Sequence, residues 1–485
     1  MMRSLYSGVS GLRVHQTKMD VIGNNIANVN TVGFKGSSVT FSDVFYQTLQ
    51  SATGPNAQTG AGGQNAKQIG LGTNVASIVA SITQTGGSQR TDSPYDLMIS
   101  GDAFFVVNSG GTNYFTKAGA FGTDPEGNLV TPSGAKVMGW QVDPADPTKT
   151  VAASVSPLKI NSPENSYSAP QATTNTYVSG NIDYKDTQLT SATGKIVNVE
   201  FYDNLGQRYT ANLKVTQTTA STNQYNVELT DVLDVNGKSI FVKETPGGTP
   251  VYTASTYTGF TFGGVTYTVS AVDGATGKMT LTGSGTPDLL QFDANTGEFK
   301  GVGTGTTPTG KGFNLTIAGN PNPFKTVNMD FSTVNMYESG GTTVLESEKG
   351  SITDTGVSTL GAGRKAGNMT GFSIDQSGKI YGTYDNGDTK LLGQIAVATF
   401  SNPAGLESIG GNMFAQTLNS GSFDGVGHDV TSDGGAINSG MLEMSNVDLS
   451  AQFTEMITTQ RGFQANSRII TTSDSLLEEL INLKR

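Results

Sequence analysis

The sequence predicts a mainly β protein with an α-helix at each end. At both ends, apolar residues recur at alternating spacings of four and three, a pattern typical of coiled-coil helices. Between the ends, apolar and polar residues alternate, and turns that end in glycine recur, as in antiparallel sheets. The predicted fold class is therefore coiled-coil-like N- and C-terminal helices flanking nested antiparallel domains of the β-sandwich or β-barrel type.

The N-terminal helix is predicted over residues 4–29. Its apolar stripe includes Leu5, Leu12, Met19, Ile22, Ile26 and Val29. Gly8, Gly11 and Gly23 each weaken a helix by about 1 kcal/mol relative to alanine. This helix should therefore need a partner in order to be stable.

The C-terminal helix is predicted to follow a capping box, Ser445–x–x–Asp448, and to continue to about Leu483. Its apolar stripe comprises Leu449, Phe453, Met456, Phe463, Ile470, Leu477 and Ile481. With further apolar residues beside it, this stripe is wider than one partner helix covers. The two ends could pair within one chain as a helical hairpin. The excess apolar surface instead favours packing on other copies, and a head-to-tail contact that does not close gives a filament.

Composition argues against several classes of function. The net charge of -11 and the sequence pI of about 4.7 disfavour nucleic acid or an anionic membrane as a partner. No cysteine and only two histidines occur, so no metal, cofactor or catalytic constellation is expected. No run of 18 apolar residues is present, so no membrane insertion is expected, and the N-terminus lacks the apolar region of a cleavable signal peptide.

Shifts in periodicity and composition divide the chain into six segments. Residues 1–35 form the N-terminal helix of a core domain, and residues 36–70 form a connecting arm or linker. The other segments are a first part of an inner β-domain (71–147), one or two inserted outer β-domains (148–363), the second part of the inner β-domain (364–435) and the C-terminal helix of the core domain (436–485).

Several segments resemble one known family. Residues 24–35 resemble the N-terminal signature of the bacterial flagellar rod, hook and hook-associated axial proteins. The signature residues are Asn24, Asn25, Ala27, Asn28, Asn30, Thr31, Gly33, Phe34 and Lys35. Residues 443–449 and 460–466 resemble the C-terminal helix of that family, and residues 97–106 resemble its inner β-domain.

The resemblance implies a non-enzymatic structural subunit that polymerises into the hook, the flexible tubular joint between rod and filament. The implied partners are other copies of the chain, the distal rod protein, the hook cap, the hook–filament junction protein and the export apparatus. A distal rod subunit is the alternative within the family, but the long insertion favours the hook. A monomeric surface adhesin or glycan-binding β-protein would explain the turns and the acidity, but not the helical ends.

Weak helices that fold only when neighbours cover them also suit the flagellar type III export route that the resemblance implies. The location expected is the extracellular flagellum, reached without a cleaved signal peptide. The sequence predicts that the dilute monomer has mobile ends, at least through residues 1–30 and 449–485. It also predicts that concentrated protein forms tubes visible by negative-stain microscopy.

Overall fold

A computed structural model describes residues 2–55, 60, 62–218, 223–245, 251–305, 307–353 and 356–483. In this part of the chain, the α-helices are α1 (Met2–Ala27) and α2 (Leu449–Asn482). The cap of α2 is Asp448, not Ser445 as the predicted capping box has it. One carboxylate oxygen of Asp448 accepts hydrogen bonds from the amides of Ser450 and Ala451 at 2.8 and 3.3 Å. The Ser445 hydroxyl lies in the preceding irregular segment, where it accepts from the Val447 amide.

The contacts divide the chain into two compact units. The helix unit comprises Met1–Ser166, Thr370–Thr383 and Thr389–Arg485, and the insertion unit comprises Tyr167–Met369 and Tyr384–Asp388. Each unit is described by itself below. The six segments predicted from the sequence stay a prediction about domain boundaries.

Short antiparallel strands make up the first part of the helix unit. They are β1 (Ser37–Asp43), β2 (Tyr46–Gln50), β3 (Lys67–Gly70), β4 (Thr73–Ala80), β5 (Ser88–Arg90), β6 (Leu97–Ser100), β7 (Phe104–Ser109), β8 (Thr112–Thr116), β9 (Gly122–Thr123), β10 (Leu129–Val130), β11 (Lys136–Trp140) and β12 (Ser156–Pro157). β1 pairs with β4, and β2 pairs with β3. The predicted arm of residues 36–70 therefore contains paired strands, while its residues 56–59 and 61 lie outside the described residues.

The insertion unit contains the longer strands. They are β13 (Tyr167–Ser168), β14 (Asn175–Asn181), β15 (Lys195–Tyr202), β16 (Arg208–Gln217), β17 (Gln224–Leu233), β18 (Val242–Thr245), β19 (Val251–Ala254), β20 (Tyr257–Phe262), β21 (Val265–Val272), β22 (Met279–Ser284), β23 (Leu289–Phe292), β24 (Phe299–Gly303), β25 (Gly312–Gly319), β26 (Val327–Asn335), β27 (Val344–Lys349), β28 (Ser351–Thr353) and β29 (Gly356–Ser358).

Two sheets of the insertion unit share one apolar core. Their strand orders are β22-β21-β20-β25-β26-β14-β27 and β15-β16-β17-β23-β24. Alternate residues of β16 and β17 point into this core, as their period-two patterns predict, and Phe201, Phe260 and Phe331 are among its largest side chains. Among the described strands of this unit, pairing is antiparallel except between β14 and β26, which run parallel.

The last strands of the chain are β30 (Gly367–Ile374), β31 (Lys379–Tyr384), β32 (Thr389–Ile395), β33 (Val397–Ala398), β34 (Glu407–Gly410), β35 (Met413–Ala415), β36 (Ala436–Ser439) and β37 (Met441–Glu443). In the helix unit they complete an antiparallel sheet in the order β31-β32-β11-β7-β8-β35-β34.

One apolar cluster of this sheet contains Phe104, Phe115 and Met138. β36 and β37 pair with β6 and β5, which brings the start of α2 back to the end of α1. The predicted fold class, mainly β with two terminal helices, is confirmed.

Candidate assembly site

The two terminal helices pack against each other within one chain. On α2, buried and half-buried side chains recur at spacings of four and three residues. They are Gln452, Met456, Thr459, Phe463, Asn466, Ile470, Ser473 and Leu477. This stripe is the seam of α2. The helical hairpin that the sequence left open as an alternative is therefore present, with the seam rhythm of a coiled coil.

The facing seam of α1 is built mainly from small and polar residues. It comprises Gly8, Gly11, His15, Lys18, Ile22 and Asn25. A side chain on Gly11 would place its Cβ 2.6 Å from the Asn466 amide nitrogen, and one on Gly462 would lie 2.8 Å from the His15 ring. A Cβ on Gly8 would lie 3.4 Å from an Ile470 side-chain carbon and 3.5 Å from the Asn466 carbonyl oxygen. The glycines therefore allow an approach between the helices that larger residues would prevent.

Polar contacts fix the antiparallel register of the pair. The Asn25 amide donates a hydrogen bond of 3.0 Å to the Gln452 side chain, and the Lys18 ammonium lies 3.8 Å from a Glu455 oxygen. Burial lowers the pKa of His15, and the charge of Lys18 lowers it further. Because the neutral imidazole is the form that the seam accommodates, the seam should weaken as the pH falls below about 6.5.

The structure distributes the predicted stripe residues over three environments. Met456, Phe463, Ile470 and Leu477 lie in the α2 seam, and Ile22 is buried in the α1 seam. Half-buried residues beside the seam or beyond it are Leu5, Leu12, Met19, Ile26 and Val29, and exposed ones are Leu449, Phe453 and Ile481. Gly8 and His15 fall on the rhythm of the predicted α1 stripe, but Gly11, Lys18 and Asn25 were missed because the prediction followed apolar residues. On α2, the heptad spacing of the small seam residues is the signal that finds them.

The signature segment joins the helix pair to the β-sheets through a buried ion pair. The Lys35 ammonium lies 2.7 Å from a Glu443 carboxylate oxygen, and the two side chains are 1% and 0% exposed. Lys35 also donates to the Gln84 carbonyl at 2.7 Å, and the same Glu443 oxygen accepts from the Gly86 amide at 3.0 Å. Removal of either partner would leave a buried charge without compensation, so this pair locks residue 35 to β37.

Other signature residues shape the same joint. Gly33 has a φ of 69°, and a side chain there would approach the Ala118 amide to 2.7 Å, so both the backbone and the space require glycine. The Asn25 side chain bonds both the amide and the carbonyl of Ser37. The Asn28 side chain accepts from Thr31 and donates to Asn24. Phe34 is half-buried, whereas Ala27 and Asn30 are exposed.

A second buried lysine lies near this ion pair. Lys117 donates to the Gly101 carbonyl at 2.6 Å, and its ammonium lies 5.0 Å from the centroid of the Phe104 ring. Burial lowers the pKa of Lys117 to about 8, although the attraction of Glu443 opposes this change. No sequence pattern indicated this residue, because a lone lysine in a β-region belongs to no motif.

The described site has two parts: a joint between helix and sheet around Lys35 and Glu443, and a packing surface on the helix pair. Within the described residues, no cluster of metal-ligating side chains is present. No helix in the described part of the chain is long and apolar enough to span a membrane. The helix pair exposes apolar area. Phe453 and Ile457 on α2 are more than half exposed, and Tyr6 and Val9 on α1 are about as exposed.

Comparison with known proteins defines the class first. The family model "Flagella basal body rod protein" matches residues 5–35, and "Flagellar hook protein FlgE/F/G D1 domain" matches residues 98–181. "Flagellar basal body rod FlgEFG protein C-terminal" matches residues 438–483. These matches cover the helices, the joint and part of the β-sheets, so the fold and the site define an axial structural protein of the bacterial flagellum.

Full-length relatives define the family. The flagellar hook protein FlgE of Borreliella burgdorferi is 36% identical over 100% of both chains, and that of Treponema pallidum is also 36% identical over 100% of both. The flagellar basal-body rod protein FlgG of Bacillus subtilis is 28% identical, again over 100% of both chains. The chain belongs to the flagellar hook protein family and is a structural subunit of the hook. The distal rod alternative has less support.

Proposed function

We propose that the α1–α2 pair is the element through which copies of this chain polymerise into the hook tube. The observation that carries the proposal is the apolar area that remains after the seam has closed. Within the described residues of α2, Leu449, Phe453, Ile457, Ile469, Leu476 and Ile481 stay exposed. A helix 34 residues long cannot be covered by a partner of 26 residues, and burial of this area on other copies would be favourable.

The intrachain seam does not argue against polymerisation. Its α1 half is mainly glycine and polar residues, so Met456, Phe463, Ile470 and Leu477 of the α2 seam meet few apolar side chains there. The larger apolar side chains lie mainly outside it or at its edge. We infer that the pair is weak in the monomer and gains its stability when neighbouring copies cover it, as coupled folding and binding allows.

The family resemblance suggests which other flagellar proteins this chain contacts. They are the distal rod protein at one end of the hook, the hook cap and the hook–filament junction protein at the other end, and the export apparatus. Export without a cleaved signal peptide and an extracellular location belong to the same proposal. Weakly paired terminal helices support it, because they can unfold to pass through a narrow channel.

A substitution in the seam tests the proposal. Ile470→Asp places a carboxylate against Gly8. Phe463→Asp places a carboxylate at the seam position one heptad earlier. Each should block polymerisation, because a charge in the seam prevents the pair from forming, while the β-sheets stay folded. Sedimentation and negative-stain microscopy of concentrated protein measure assembly, and fluorescence of Trp140, the only tryptophan, reports the sheets.

The matched control is Thr454→Asp, which adds the same charge at an exposed position of α2. This variant should assemble as the unmodified protein does. Tubes of normal length and yield from Ile470→Asp would contradict the proposal.

A further inference from the structure

The helix pair presents two different faces on its two sides. Successive residues of an α-helix are rotated by about 100°. In an antiparallel pair, the residues directly after a seam residue therefore lie on one side in both helices. We call this side face A; it carries Leu5, Val9, Leu12, Phe453, Ile457, Asp474 and Glu478. Residues directly before a seam residue lie on the other side, face B, where Ile469 and Leu476 occur. The seam rhythm, continued by one step at the free end of each helix, places Leu5 on face A, and Arg3 and Glu479 on face B.

The structure leaves both faces accessible near the free end of the pair. On face B, the middle of α1 is covered by the β1–β4 sheet, where the amide of Thr73 donates to the Ser10 hydroxyl and Val14 is buried. Beyond that cover, Ile469 and Leu476 are about half exposed. On face A, Val9 is 48% exposed. Apolar side chains at the same height on opposite sides therefore remain open.

Face A is the more acidic of the two faces at that end, because Glu479 on face B is offset by Arg3. Arg3 on face B is exposed, as are Asp474 and Glu478 on face A. Among the described residues, none of these three takes part in an ion pair. Two copies placed side by side, with face B of one against face A of the next, would bring opposite charges together around the apolar residues.

We propose that face A of one copy packs against face B of the next copy in the polymer. This inference rests on the proposed function and deepens it, because it assigns the contact to particular residues. Such a contact is heterologous: each copy uses face A towards one neighbour and face B towards the other. It therefore propagates along a row of subunits and does not stop at a dimer.

Paired cysteines test the contact, since the natural chain contains none. Gly8 lies opposite Ile470, since a Cβ built on Gly8 would be 3.4 Å from the Ile470 side chain, so Val9 and Ile469 lie at one height, on opposite sides of the pair. A disulfide requires Cβ atoms within about 4.5 Å, which positions on opposite sides of the pair do not favour within one chain. A chain that did close one within itself would run as a monomer and would not contribute to a ladder. Oxidation of assembled V9C/I469C should give a ladder of covalent multimers on a non-reducing gel. V9C or I469C alone should give none.

Intact tubes without a ladder would overturn this inference while leaving the proposed function standing. Failure of the unmodified chain to form tubes at all would instead remove the proposed function.

If the cysteine variant does not assemble, reversal of the charges at Arg3 and Glu478 tests the same contact between face A and face B. Arg3→Glu should raise the concentration needed for assembly several-fold, and addition of Glu478→Arg should restore it. The matched control is Arg13→Glu, an exposed position two residues after the seam that faces away from both sides. Equal effects of Arg3→Glu and Arg13→Glu, with no restoration, would overturn the inference.

Discussion

At the scale of residues, Lys35 and Glu443 explain why the signature segment has its composition. The two lie 408 positions apart and meet in a fully buried ion pair, with backbone groups of residues 84 and 86 as further partners. Gly33 makes room for the close approach of residues 117 and 118. The signature is thus a joint between helix and sheet, and its polar residues are used for hydrogen bonds within the chain.

Glu443→Gln should destabilise the helix unit by about 3–5 kcal/mol, because it leaves the buried Lys35 ammonium without a counter-charge. Denaturant unfolding followed by Trp140 fluorescence measures this. Asp92→Asn is the control, since it removes an ion pair with Arg90 whose side chains are mostly exposed, and its midpoint should match that of the unmodified protein. Equal midpoints for all three proteins would show that the ion pair contributes nothing.

Lys117 predicts a pH dependence of stability. Its pKa is about 8 in the folded chain, against 10.5 for an unperturbed lysine, so between these values the unfolded chain binds more protons. The contribution of Lys117 to the free energy of unfolding should therefore rise with pH across this window, by roughly 3 kcal/mol. Below pH 8 the lysine is protonated in both states and this gain is absent.

The measurement compares Lys117→Met with the unmodified protein from pH 7 to 11. The difference between their unfolding free energies isolates this group, because other titrations are shared. It should change in favour of the unmodified protein as the pH rises through 8. A difference that is constant with pH would contradict the burial of a charged Lys117.

Sequence reasoning at this scale found the signature but not the role of its residues. Lys35 is recognisable as part of a motif, but its partner is far away in the chain. The two meet because the signature segment runs beside β37, where the Gly33 amide donates to the Glu443 carbonyl at 2.8 Å. Lys117 and Gln84 carry no sequence signal at all. Their importance comes from burial, which depends on the tertiary fold.

At the scale of elements, the helices were predicted within a few residues of their bounds, because a spacing of three and four is a strong signal. Most of the predicted α1 stripe lies beside the seam that closes within the chain, and its role in assembly stays a prediction. Leu12, Met19 and Ile26 lie one residue after Gly11, Lys18 and Asn25, which face α2. The apolar residues of α1 lie directly beside the line of small and polar residues. From the sequence alone, it could not be decided which of these two lines packs against the other helix of the same chain. The line with glycines packs within the chain, because glycine allows the closest approach of the two helices.

Substitution of two glycines of α1 should have opposite effects on the stability of the helix. Gly11→Val should separate the helices, because its side chain would collide with Asn466. Gly23→Ala, at a position with nothing within 4 Å, should stabilise α1 by about 1 kcal/mol through helix propensity. Hydrogen exchange of the α1 amides measures both: protection should fall in the first variant and rise in the second. A fall in both would mean that Gly23 also has a packing role.

At the scale of the whole molecule, the chain combines two β-rich units with one pair of helices drawn from its two ends. Antiparallel β-structure in the centre was predictable from turns and alternation. The parallel pairing of β14 with β26 was not, since it joins strands about 150 residues apart. The helix pair closes within the chain and still leaves apolar faces on both sides, which is what a subunit of a polymer requires.

Reactivity of a single cysteine tests this central claim most directly, because the natural chain has none to compete. Ile457→Cys places a thiol on the exposed flank of α2, and Ser473→Cys places one in the seam. The thiol at 457 should react rapidly in the monomer and at least about tenfold more slowly in the polymer, since an interface core excludes solvent. The thiol at 473 should be slow in both. Equal reactivity at 457 in monomer and polymer would contradict assembly through these faces.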